Sequence, residues 1–96
     1  MSDYPLFAKL NQRPVLLVGA GHVAERKAEA LLKAGAKLHV VAQQLSPQMV
    51  AWQQQDLLHY LGSEFQAEQL APVFLVVAAT DDAELNRRVF QAAETA

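Results

Sequence analysis

Two glycines one residue apart, Gly19 and Gly21, interrupt the stretch PVLLVGAGHVAERKAEALLKAGAKLHVV between Pro14 and Val41. They follow an unbroken apolar run and lead into an alternation of charged residues and alanines. Bare backbone at such a point suits an anion, because a phosphate held at a helix amino terminus needs free N–H groups aimed at it and no Cβ in its way. Gly19 serves the tight turn out of a strand, Gly21 the close approach of a phosphate, and Ala24 the close packing of helix on sheet. Together they form the G-x-G-x-x-A version of a dinucleotide-binding fingerprint. The candidate diphosphate cradle is therefore Gly19, Ala20, Gly21, His22 and Val23, with the backbone of His22 counting for more than its ring. The competing explanation is a glycine turn in a ligand-free α/β domain.

A fingerprint that selects NAD normally carries an acidic residue about 20 positions past its first glycine, where it accepts from the ribose hydroxyls. Here the second apolar run ends VVAQQ. Gln43 and Gln44 both donate and accept, so they suit a ribose, but they carry no charge to repel a 2′-phosphate. On physical grounds NAD and NADP both stay open. Thr80 and Asp81 follow the strongest apolar run, VFLVVAA over 73–79, and are expected to face the nicotinamide half of the cofactor or the edge of its substrate. Asp81 and Glu84 also have capping-box spacing, so Asp81 doubles as a helix cap, and Asp82 reads as a first-turn residue favoured by the helix dipole. His39 and His59 lie in separate runs and share no metal-ligand spacing with His22; they read as structural, and no metal site is expected. The charged residues Glu25, Arg26, Lys27, Glu29 and Lys33, and likewise Arg87 and Arg88, read as solvated helix faces.

The elements that must position these groups follow from periodicity. Val15–Val18, Leu38–Val41, Leu57–Leu61 and Val73–Ala79 read as strands. Ala24, Ala28, Leu31 and Leu32 line one face of a helix from about His22 to Ala34, closed by Gly35. Ser46 and Pro47 start a second helix as cap and first helical residue, with Met49, Val50 and Trp52 as its apolar positions. Phe65–Leu70 is at best a short helix, and Leu85, Val89 and Ala92 mark a last helix. The seven-residue run over 73–79 is apolar on both faces, which implies helices above and below a parallel sheet. The expected fold is a Rossmann-like, doubly wound α/β sheet of order 3-2-1-4 with right-handed crossovers, truncated before a fifth strand. Its switch point lies between the first and fourth strands, over Gly19–His22 and Ala79–Asp81.

Composition narrows the function classes. The chain of 96 residues is one domain, 52% hydrophobic and 19% charged, which is globular rather than disordered. A formal charge of −2 without a long basic run argues against a nucleic-acid partner. Cysteine is absent, which excludes disulfides and thiolate metal sites. No apolar stretch approaches the roughly 18 residues of a membrane span, and MSDYPLFAKL carries an acidic residue where a signal peptide needs positive charge. A soluble, cytoplasmic protein without a membrane partner is expected.

The segments YPLFAKLNQRPVLLVGAGHVAERKAEALLKAGAKLHVVA and VVAATDDAELNRRVFQAAE resemble the N-terminal module of the siroheme synthase family of precorrin-2 dehydrogenases and sirohydrochlorin ferrochelatases. The more specific parts are PLF before the first strand, VAERKA after the glycines, and AATDD followed by N-R-x-V. The resemblance implies NAD-dependent oxidation of precorrin-2 to sirohydrochlorin, then iron insertion, often in a homodimer whose chain continues into a methyltransferase domain. It places NAD contacts on His22, Val23, Gln43 and Gln44, and so favours NAD. The family's catalytic aspartate falls beyond Ala96, so no catalytic residue is assigned. Residues 1–96 are expected to be the NAD(P)-binding N-terminal fragment of a longer enzyme, inactive alone. Two alternatives are an NAD(H)-sensing regulatory domain without catalysis and a site for a methionine-derived cofactor.

Overall fold

A computed structural model describes residues 10–95; the PLF segment lies outside them. Four strands, β1 (Pro14–Val18), β2 (Lys37–Val41), β3 (Leu58–Gly62) and β4 (Leu75–Ala78), alternate with α1 (His22–Lys33), α2 (Pro47–Gln54), a 3-10 turn (Ala67–Leu70) and α3 (Ala83–Thr95). Every strand pair is parallel and the order is β3-β2-β1-β4, as the βαβ pattern requires.

The central strand is the most deeply packed: Val15, Leu16, Leu17 and Val18 are all at most 1% exposed. Their alternation feeds two cores. Val15 and Leu17 join Ala24, Ala28 and Leu31 of α1, Leu38 and Val40 of β2, and Met49 of α2. Leu16 and Val18 meet Val41, Phe65, Leu70 and, from α3, Val89, with Leu85 and Ala92 packed alongside. Ala24 and Ala28 are small enough to bring α1 against the sheet, so its amino terminus stands at the carboxyl end of β1.

Helix α1 stops as its sequence demands. Gly35 takes φ +81°, and the Gly35 and Ala36 amides donate to the carbonyls of Leu32 and Leu31, a Schellman closure. Helix α2 starts where expected, with Ser46 as cap and Pro47 first.

Three expectations need correction. The last strand is four residues rather than seven, and all four are half-buried. It lies at the sheet edge, where Leu75 and Val77 pack on one core and Val76 and Ala78 on the other, so both faces are covered but only in part. Val50 is 37% exposed; in a two-turn helix Met49 and Trp52 already take the inward positions. Finally, the cap of α3 is Asp82, whose carboxylate accepts from the Leu85 amide at 3.1 Å; Asp81 does not form a capping box with Glu84, which instead pairs with Arg87.

Candidate functional site

The carboxyl ends of β1 and β4 open into a cleft of about 610 Å³, within the range typical of ligand pockets. The Gly19 amide donates to Val41 O and the Ala79 amide to Val18 O, both at 2.8 Å, so the ends of β2, β1 and β4 are tied together at its floor. All nine sequence-derived candidates, Gly19, Ala20, Gly21, His22, Val23, Gln43, Gln44, Thr80 and Asp81, line this one cleft. Ala42, Ser63, Asp82 and Leu85 join them.

The two glycines differ in kind. Gly19 has φ +126°, and a Cβ there would run into the Ala79 carbonyl; the fold itself excludes a side chain. Gly21 has φ −81° and ψ −167°, open to any residue, and a Cβ there would meet nothing within 4 Å. Its bareness serves no packing purpose among the described residues. It leaves space directly over the first turn of α1.

That turn is also without a side-chain cap. The first intrahelical bond runs from the Glu25 amide to Gly21 O at 2.8 Å, so the amides ahead of Glu25 are the orphan donors of the helix, facing a cleft at its positive end. The other two helices cap themselves: the Met49 amide donates to Ser46 Oγ at 3.3 Å, and the Leu85 amide to Asp82. A diphosphate suits the uncapped end chemically, supplying the anionic acceptors that its own chain withholds.

Two residues that the sequence reading passed over hold the rim. Asn86, in the first turn of α3, clamps Thr80. Its Nδ2 donates to Thr80 O at 3.0 Å, while its Oδ1 accepts from Thr80 Oγ1 at 2.7 Å and from the Thr80 amide at 3.3 Å. Thr80 Oγ1 in turn accepts from the Asp82 amide at 3.1 Å. Tyr60, on β3, donates its hydroxyl to Ala42 O at 2.6 Å and so braces the chain just before Gln43 and Gln44. The signal for Asn86 was its position six residues after Thr80, where a first helical turn folds back on the preceding loop. Tyr60 gave no local signal, because its partner lies 18 residues away.

Gln43, Gln44, His22 and Asp81 are exposed and stand on the cleft wall, with no hydrogen bond from their side chains among the described residues. Glu25 is not simply part of a solvated face: Ser46 Oγ donates to its carboxylate at 2.6 Å, joining α1 to the cap of α2. Glu29 and Lys33 do form the expected exposed pair, at 3.9 Å. His39 and His59, separate in sequence, stand side by side with ring centroids 5.5 Å apart. Burial first, and the neighbouring His59 second, hold the His39 imidazole below its ordinary pKa.

A parallel α/β sheet with a glycine turn, an uncapped helix end and a cleft at its switch point is a dinucleotide-binding unit. Comparison with known proteins agrees. A family model described as putative NAD(P)-binding matches residues 6–96, and the chain belongs to that family. Siroheme synthase 1 of Serratia proteamaculans is 57% identical over 93 residues, covering 96% of this chain and 20% of the relative. Siroheme synthase of Mannheimia succiniciproducens is 50% identical over 95 residues, covering 99% and 20%. Among solved structures, SirC, a precorrin-2 dehydrogenase, superposes with a TM-score of 0.79 at 34% identity, over 84% of this chain and 41% of that one. The chain thus spans about a fifth of the length of the curated relatives it matches. Among the described residues no helix is long and apolar enough to cross a membrane.

Proposed function

We propose that residues 1–96 form the NAD-binding part of a siroheme synthase, in which the complete enzyme oxidises precorrin-2 to sirohydrochlorin and then inserts iron. The observation that carries the reading is Gly21: open space where a side chain would fit, over orphan helix amides, in a cleft at the switch point.

Each group then has a task. The amides of the first α1 turn hold the diphosphate, with Gly19, Ala20, Gly21, His22 and Val23 forming the cradle. Gln43 and Gln44 hydrogen-bond the adenosine ribose, their loop set by Tyr60. Thr80 and Asp81 border the nicotinamide end, with Asn86 fixing the Thr80 backbone. When bound, NAD supplies the hydride acceptor; this part of the protein orients it against the substrate. Orientation is worth roughly 7–11 kcal/mol of barrier in well-aligned reactions, so a cofactor half without its tetrapyrrole half is inactive.

The edge position of β4 and the exposed Phe74 and Phe90, at 49% and 64%, support the view that further chain of the parent packs on this side. The tetrapyrrole pocket, the catalytic carboxylate, the homodimer contacts and a cytoplasmic setting belong to that larger protein. The siroheme synthase relatives favour this enzymatic reading over a sensor without catalysis, and the NAD(P)-binding family match favours a dinucleotide over a methionine-derived cofactor.

Calorimetric titration of the folded chain with NAD, NADP and S-adenosylmethionine tests the proposal. Saturable heat is expected with NAD and none with S-adenosylmethionine. A folded chain giving no heat with either dinucleotide would overturn the reading.

A further inference from the structure

The parallel register of β2 and β3 places His39 directly opposite His59. Their neighbours Leu38, Val40 and Leu58 point into the core under α1 and α2. Strand alternation therefore puts both imidazoles on the opposite face of the sheet. Helix α3 packs mainly on β4 and the 3-10 turn rather than on β2 or β3. His39 is half-buried and His59 exposed, and neither ring makes a hydrogen bond among the described residues. Nothing in the dinucleotide cleft uses them.

From this pairing we infer a second binding site: His39 and His59 form a two-imidazole chelate for a borderline divalent transition ion such as Zn²⁺ or Ni²⁺, on the β2–β3 face of the sheet.

The spacing carries the inference. With metal–nitrogen bonds of ~2.1 Å and a ring centre ~1.1 Å behind each nitrogen, two imidazoles on one tetrahedral ion stand with centroids ~5.2 Å apart. The observed separation is 5.5 Å, with the planes tilted by 42° rather than stacked. His59 is exposed, so its side-chain torsions are free to turn a ring nitrogen toward a shared ion. The backbone has thus already brought the ligands together, which removes much of the ordering cost of chelation.

Metal binds neutral imidazole, so occupancy of the pair is linked to pH. Asp56 lines the same hollow at the β3 edge. Among the described residues no third histidine, cysteine or carboxylate completes the set, so water fills the remaining positions. Imidazole suits Zn²⁺, Ni²⁺ and Cu²⁺, whereas Mg²⁺ prefers oxygen; selectivity follows from the donor type.

The test is titration of the 96-residue chain with ZnCl₂, and separately MgCl₂, followed by the imidazole 1H–15N resonances and by calorimetry. His39 and His59 are expected to shift together and saturate at one Zn²⁺ per chain, with His22 unmoved and Mg²⁺ without effect. His59→Gln, at an exposed position, should abolish the saturable heat and leave the backbone spectrum elsewhere intact; His39→Gln should do the same. The inference is overturned by the absence of paired shifts at equimolar Zn²⁺, by undiminished binding in His59→Gln, by His22 moving in step, or by an equal response to Mg²⁺. None of these readouts involves the dinucleotide.

Discussion

The amino termini of the three α-helices meet the same physical problem in two ways. Helices α2 and α3 satisfy their first amides with Ser46 and Asp82. Helix α1 places Gly21 at the corresponding position and leaves its first turn uncapped. A Ser, Thr, Asn or Asp at a cap stabilises a helix by about 1 kcal/mol over Ala, and over Gly by only a few tenths. The chain therefore forgoes little stability at Gly21 and keeps an anion site there. A position where a stabilising residue fits and is not used points to a ligand more directly than a position where only glycine fits.

The largest effect should come from the glycine that belongs to the fold. Gly19→Ala forces a Cβ against the Ala79 carbonyl at a backbone conformation that L residues avoid. A loss on the order of 3 kcal/mol is expected in urea unfolding, and a stability within error of the parent chain would remove the distinction between the two glycines. Next comes Gly21→Asp. Its carboxylate occupies phosphate space, so NAD binding should weaken at least about a hundredfold, roughly 3 kcal/mol. The same carboxylate caps α1, so the thermal midpoint should hold or rise slightly. Binding that survives, measured calorimetrically, would separate the uncapped turn from any phosphate.

Smaller effects come from the helices that do cap themselves. Asp82→Ala and Ser46→Ala should each lower unfolding free energy by about 1 kcal/mol. Ser46→Ala should be the costlier of the two, because it also removes the donor to Glu25. Neither change should alter NAD affinity more than the loss of fold requires, although Asp82 borders the cleft; a selective loss with Asp82→Ala would make it part of the binding surface.

The smallest effect concerns pH. The folded-state pKa of His39 lies below its unfolded value of 6.5. The unfolded chain therefore takes up this proton first, and stability should fall as pH drops from 6.5 through the folded pKa. Burial is the larger cause and His59 the lesser, so His59→Ala should remove less than half of that slope in chemical unfolding followed from pH 7.5 to 5. Complete loss of the slope would reverse the order of the two causes.

Much of the fold was legible because the signals are local. Gly35 ends α1, Ser46 and Pro47 begin α2, and β1, β2 and β3 fall within a residue of their apolar runs. Even the sheet order follows from chirality and connection length. The length of β4 was overestimated because apolar character does not report pairing: only Leu75–Ala78 stand in register with β1. Asp82 displaced Asp81 as cap for a geometric reason: Thr80 is pinned by Asn86, which sets the turn one residue later. On the site, all nine candidates share one cleft, yet the clamp by Asn86 and the brace from Tyr60 escaped notice because each acts through a partner elsewhere in the chain.

The amino-acid sequence by itself determined where the chain turns, which faces of its helices are apolar, and that bare backbone precedes the first helix, since these depend on neighbours within a turn or two. Only the tertiary structure decided that Gly19 is held by β4 whereas Gly21 faces open space, and that two histidines 20 positions apart stand as partners. Register between strands sets those distances, and register is a property of the assembled sheet rather than of any one segment.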